Sequence, residues 1–162
     1  MANNNFMPSS FHDLQETISY QFSNSRYLLE ALRTAGAGYH GANSPSAIDG
    51  NKRLAHLGEA ILKMLLLEDW YMAGANRETA SVQIARIASP SYLCHVADAM
   101  QLQPCILTNP SQWNQPLSPN MVSKAVQALV GAIWLDSGRN LDELRRVLQE
   151  VHFWDADQVA TE

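Results

Sequence analysis

The sequence lacks a membrane span. No apolar run approaches the ~20 residues that a helical span needs, and the longest, 61–67, is broken by Lys63. No secretory leader is expected: MANNNFMPSS has no basic stretch followed by an apolar one. That opening also has no arginine, which argues against a mitochondrial transit peptide. Residues 1–10 read as a flexible polar tail. Cysteine is scarce, with only Cys94 and Cys105. Two thiols make no disulfide framework, so a reducing intracellular location, cytoplasmic or nuclear, is expected. Cys94, His95 and Cys105 lack the paired ligand spacing of a zinc site, and the two cysteines read as buried, reduced thiols. Net positive charge is missing too. The formal charge is −5, whereas a stand-alone nucleic-acid binder usually carries a basic face. Arg139, Arg145 and Arg146 form a local basic cluster, although on a helix such a cluster is more often a solvated face. There is no internal repeat, and no strand-like alternation of useful length.

What is present is helical periodicity. Phe11, Leu14, Ile18 and Phe22 recur at spacings of three and four, an amphipathic helix running into a turn. Asn24 or Ser25 can cap a second helix with Leu28, Leu29 and Leu32 inside, ending around Gly36. Residues 36–50 are rich in Gly, Ser, Asn and Pro and read as a loop. A long helix is expected over 51–72. Its stripe of Leu54, Leu57, Ile61, Leu62, Leu65 and Leu66 suits a helix through the centre of a bundle. Shorter helices follow over 77–88 and 91–102, with Pro90 suited to the first turn of the second. The proline-rich stretch 103–119 reads as a surface excursion. An apolar helix over 120–136 comes next, and Asn140 caps a last amphipathic helix. The expected architecture is one all-α domain over 11–154, with a short C-terminal tail over 155–162.

Three segments carry a resemblance. YQFSNSRYLLEAL at 20–32 has an aromatic pair followed by a Leu-Leu-x-x-Ala-Leu helix. NKRLAHLGEAIL at 51–62 contains a nine-residue stretch similar to Glu-Arg-Leu-Glu-Phe-Leu-Gly-Asp-Ala/Ser. KAVQALVGAIWLDSG at 124–138 is similar to Asp-x-x-Glu-Ala-Leu-Ile-Gly-Ala followed by a hydrophobic, an aromatic, Leu and Asp. In order and spacing the three together resemble the ribonuclease III catalytic domain, over roughly residues 13–152. The resemblance extends to small stand-alone fungal ribonuclease III-like proteins, which have no separate double-stranded-RNA-binding domain.

The resemblance implies an all-α endonuclease fold with two Mg²⁺ ions held by carboxylates. Such ions need hard oxygen ligands, and they activate a water and stabilise the leaving oxygen. The matching positions are 55 and 59 on the long helix and 124 and 127 on the later one. Here the carry-over mostly fails. Ala55 stands where the family has Glu, Glu59 where it has Asp, Lys124 where it has Asp, and Gln127 where it has Glu. Four negative charges in the family become no net charge. At an effective dielectric of ~20, a unit charge about 4 Å away is worth ~4 kcal/mol before solvation. Mg²⁺ binding is therefore expected to be lost or weak, with Glu59 the only remaining ligand of the four. Lys52 also replaces a family Glu. Glu78, within RET, matches a family acidic position, and at a helix start it is equally a favourable charge on the helix dipole. Glu59 itself is expected to be partly buried, paired with Lys124 or hydrogen-bonded to Gln127.

The family dimerises through its hallmark helix, inserting an aromatic into the partner. His56 holds that position here, and with Leu57 and Ile61 it marks the expected homodimer interface. Imidazole titrates near neutral pH, so such a dimer would depend on pH. Three functions stay open. One is a pseudo-ribonuclease scaffold on structured or double-stranded RNA, with a protein partner in a larger assembly. Degenerate ribonuclease III domains of that kind serve in mitochondrial ribosomes, although the N-terminus weighs against that location. Another is a divergent endoribonuclease in which Lys52 and Lys124 stabilise a developing phosphorane and Glu59 or His56 acts as base. The third is a helical interaction module without RNA contact.

Overall fold

The structure is a computed structural model that describes residues 9–37 and 48–155. Among these residues the chain forms seven helices and three short 3₁₀ turns. They are α1 (Ser9–Thr17), α2 (Ser25–Leu32), α3 (Lys52–Met72), α4 (Arg77–Ala88), α5 (Pro90–Ala99), α6 (Pro119–Asp136) and α7 (Leu141–Glu150). No helix of the described residues is long and apolar enough to cross a membrane.

Helix starts follow local side-chain chemistry. Asn24, Asn76, Ser89, Ser118 and Asn140 each accept a hydrogen bond from a first-turn N–H, satisfying donors that a helix leaves open. α3 is the exception. Its N-cap Asn51 makes no such bond, and instead donates Nδ2–H to the carbonyl of Ala31, 2.9 Å away. That bond ties the start of α3 to α2.

The helix at the centre of the fold is α6, and this corrects the expectation for 51–72. From Val122 to Ile133 every residue of α6 except Lys124 is buried. Its run of Ala, Val, Leu and Gly leaves no polar stripe wide enough to face solvent. α3 buries one face, with Leu54, Ala55, Gly58, Ile61, Leu62, Leu65 and Leu66, and turns Lys63, Glu68 and Asp69 outward. Among the described residues the two helices form the most extensive helix–helix contact. They cross at glycines: a Cβ on Gly58 would lie 1.8 Å from the Gln127 carbonyl oxygen, and one on Gly131 2.5 Å from that of Leu54. Backbones can come that close only where there is no side chain.

Three further expectations change. α1 stops at Thr17 rather than running to Phe22, because Ser19 takes a positive φ of 52° and Tyr20 N–H closes back on the Gln15 carbonyl. α2 stops at Leu32, short of Gly36. There the chain turns extended to meet 103–119: Leu107 N–H donates to Leu32 O, and Thr34 N–H donates to Leu107 O. Hence 103–119 is not only a surface excursion, since Cys105 and Ile106 are buried. The expected loop over 36–50 lies mostly outside the described residues, as do most of the two expected tails. Ser9 and Ser10 already belong to α1, and Asp155 ends a turn anchored by the fully buried Phe153. The Tyr92 hydroxyl and Arg86 hold that turn by donating to the carbonyls of Phe153 and Trp154.

Candidate functional site

The crossing of α3 and α6 sorts the singled-out residues into two groups. Glu59 and Gln127 line a small cavity of about 30 Å³, closed by Leu62, Lys63 and the Ile84–Ile87 face of α4. That is space for little more than a water molecule. Lys52 and Lys124 line a different cavity of about 220 Å³, where the N-terminal ends of α3 and α6 meet beside Thr34 and Gln112. Between them Ala55 is buried against Ala31, Leu54, Ala128 and Ala132. Glu78 joins neither group. It is exposed in the first turn of α4, and Ile84 lies six residues on, roughly 9 Å along the axis.

The expected Glu59 environment is corrected. Glu59 is exposed, and among the described residues it forms no ion pair with Lys124 and no hydrogen bond to Gln127. The reason is directional, since Lys124 serves the other cavity. Gln127 is 94% buried, from its 6% exposure.

Two of the three clustered arginines are engaged within the chain. Arg145 bridges Glu68 and Asp69 of α3 at 2.7 and 2.9 Å. Those contacts raise its pKa, the hydrogen bond to Asp69 most, while partial burial opposes them. Arg146 sits 2.6 Å from Glu143 and also donates to the Ser19 carbonyl. The hydrogen bond from Arg146 holds Glu143 below the usual carboxylate range. Arg145 and Arg146 thus spend their charge within the chain, while Arg139 is exposed. Cys94 is half-buried rather than buried, and Cys105 is buried. Burial pushes both thiols up. They donate to the separate carbonyls of Pro119 and Ser10. Among the described residues no three His, Cys, Asp or Glu side chains form a group able to hold a metal ion.

On the expected interface, His56 is exposed and Leu57 half-buried. Ile61 is corrected: it is only 6% exposed and packs into the chain's own core, so it offers no surface to a partner. Sequence reasoning missed Thr34, Asn51, Gln112 and Asn120, which surround the two lysines. No local pattern marks them. The Asn51–Ala31 bond and the Leu107 pairing bring them together from three distant segments.

Residues 38–152 match the family model described as Ribonuclease-III-like. The chain belongs to this family. It is 27% identical over 132 residues to Ribonuclease 3 of Oleidesulfovibrio alaskensis, covering 79% of this chain and 56% of that protein. It is 28% identical over 153 residues to Ribonuclease 3 of Actinobacillus pleuropneumoniae, covering 91% and 61%. The chain thus spans little more than half the length of these relatives. Its fold is that of the nuclease domain of ribonuclease III from Campylobacter jejuni. One structure of that domain, described for flexibility in the region involved in dimer formation, superposes with a TM-score of 0.71 at 23% identity, over 87% of this chain and 94% of that one. A second gives 0.68 at 21% identity, over 97% of both. The ribonuclease III resemblance and the all-α class are borne out.

In this Ribonuclease-III-like chain the donor set does not fit the two Mg²⁺ ions that the resemblance implies. A methyl group at Ala55, a carboxylate at Glu59, an ammonium at Lys124 and an amide at Gln127 supply one anionic ligand. The cavity beside Glu59 and Gln127 is mostly walled by aliphatic side chains. Hard divalent cations need several oxygen ligands and compensating negative charge.

Proposed function

We propose that this chain is an intracellular, catalytically degenerate ribonuclease III-type domain that acts as a dimeric scaffold on structured RNA. One observation carries the reading. Of the four positions matching the family's metal-binding acids, Glu59 alone keeps a carboxylate, and Lys124 reverses one charge. The fold is retained while the counter-charge for metal is gone. The deciding assay incubates the protein with double-stranded RNA in Mg²⁺, in Mn²⁺ and in EDTA. No cleavage in any of the three supports the scaffold, whereas cleavage that requires metal overturns it.

One observation favours a second reading, a divergent metal-independent endoribonuclease. The Glu59 carboxylate is exposed and unpaired among the described residues, so it is free to act as a base. Cleavage that persists in EDTA and disappears in Glu59→Gln would select this reading.

The dimer is proposed through α3. His56, Ala60, Met64 and Tyr71 are exposed along one stripe of that helix, flanked by half-buried Leu57 and Leu67. A second copy of the chain is the occupant, by analogy with the dimer-forming nuclease domain of the Campylobacter jejuni protein. Sedimentation below and above neutral pH tests both the dimer and whether it depends on pH. A monomer at both pH values refutes it.

A further inference from the structure

We propose that the cavity at the N-terminal ends of α3 and α6 binds one sugar-phosphate unit of an RNA backbone, with Lys52 and Lys124 on the phosphate and Asn51 accepting from the ribose hydroxyl. The inference rests on the RNA-scaffold reading above and assigns that reading a site. It also gives a role to the charge reversal that removed the metal ligands.

Charge comes first. The chain is acidic overall, at −5, and Arg145 and Arg146 are tied to carboxylates. Lys52 and Lys124 are not. Neither has an ion-pair partner among the described residues, and no carboxylate lines their cavity. Two unpaired ammonium groups facing one concavity create a positive potential that an anion would relieve. The backbone adds to it. α3 begins here without a side-chain cap, so its first-turn N–H groups point unclaimed toward the same end.

The acceptors then narrow the ligand. Asn51 lines this cavity and is 3% exposed. Its Nδ2–H donates to the Ala31 carbonyl, which fixes the amide orientation and leaves Oδ1 to act only as an acceptor. Thr34, 6% exposed, gives its hydroxyl proton to the Leu107 carbonyl, so its oxygen too can only accept from the cavity. An inorganic anion would use the lysines and find these oxygens unfavourable. A ribose phosphate uses both, since its phosphate takes the ammonium groups and its 2′-hydroxyl donates to Asn51. The volume of about 220 Å³ is below that of a drug-sized pocket and suits one sugar-phosphate without its base. The 2′-hydroxyl is also what separates RNA from DNA.

The test is fluorescence anisotropy of a labelled blunt RNA duplex with the full chain, across a series of monovalent salt concentrations. Lys52→Gln/Lys124→Gln is compared with wild type, with the charge-preserving Lys52→Arg/Lys124→Arg and with Arg145→Gln. Thermal melts confirm that each variant is folded. Each phosphate lysine lost reduces the log–log salt slope by about 1. The glutamine pair is therefore expected to bind about tenfold or more weakly, with a slope shallower by about 2. The arginine pair keeps the slope, and Arg145→Gln leaves it near wild type. A 2′-O-methyl duplex and a DNA duplex are expected to bind wild type several-fold more weakly than RNA. If wild type binds RNA and the glutamine pair binds with the same slope, the site is wrong while the scaffold reading stands. If the methylated duplex binds as well as RNA, the Asn51 contact is wrong. If wild type binds no RNA even at low salt, the scaffold reading falls and the site falls with it.

Discussion

Substituting Gly58 by alanine should damage the α3–α6 crossing more than any conservative change on the surface. The added Cβ would sit 1.8 Å from the Gln127 carbonyl oxygen, 2.8 Å from the carbonyl carbon and 3.0 Å from the Gly131 nitrogen. An ordinary contact is about 3.4 Å, so the methyl is roughly 1.6 Å too close. All three obstacles are backbone atoms, so no rotamer change can relieve the clash. The helices must part along the most extensive helix–helix contact among the described residues. Alanine is the better helix former by about 1 kcal/mol, which offsets part of the loss. Overpacking typically costs about 1–3 kcal/mol, and a backbone-on-backbone clash belongs at or beyond the top of that range. A net destabilisation of about 3 kcal/mol follows, lowering the melting temperature by roughly 6–12 °C for a domain of this size. Gly131→Ala meets the Leu54 oxygen at 2.5 Å and should cost less. Circular-dichroism melts and urea titrations of both variants measure this. Gly58→Ala melting at or above wild type would refute the reasoning, as would Gly131→Ala proving the worse of the two.

Asp136 accepts from the Tyr20 hydroxyl at 2.8 Å and from the N–H groups of Ser23 and Asn24 at 2.9 and 2.7 Å. Asp136→Asn puts an amide donor against these donors and should cost about 2 kcal/mol; an unchanged urea midpoint would contradict that. Burial, then the Asp136 hydrogen bond, raises the Tyr20 hydroxyl well above its ordinary range. Because the folded-state pKa is the higher, the stabilisation is complete below the unfolded value near 10 and declines as pH rises past it. Urea midpoints at alkaline pH should therefore fall for wild type and fall less for Tyr20→Phe. Arg145→Ala breaks two partly exposed ion pairs and should cost about 1 kcal/mol or less, with the difference shrinking in high salt; a salt-independent loss would point to packing instead. Chelation by EDTA should leave the melting temperature unchanged, and a drop of several degrees would reinstate a bound metal.

Much of this protein is determined locally. Local patterning marks α3, α4 and α6 nearly to the residue, and the start of α7, because a 3.6-residue repeat needs no distant partner to be visible. Asn140 declares itself as a cap for the same reason, and Asn24 stands as one of two candidates beside Ser25; the replacement of carboxylates at 55, 124 and 127 is legible once the family resemblance is drawn. Tertiary structure decides what depends on meeting. α2 ends at Leu32 only because Leu107, far along the chain, takes over the hydrogen bonding. α6 rather than α3 occupies the centre because other helices cover it on all sides, a fact its composition permits but does not state. Glu59 and Lys124 stand at positions that the family resemblance brings together, yet the crossing at Gly58 and Gly131 turns them to different cavities. The setting of Lys52 and Lys124 together beside Thr34 and Gln112 has no sequence signal, since the Asn51–Ala31 bond and the pairing of Leu107 with Leu32 and Thr34 assemble it across the fold. Residue chemistry says which charges remain, and only packing says which of them face the same space.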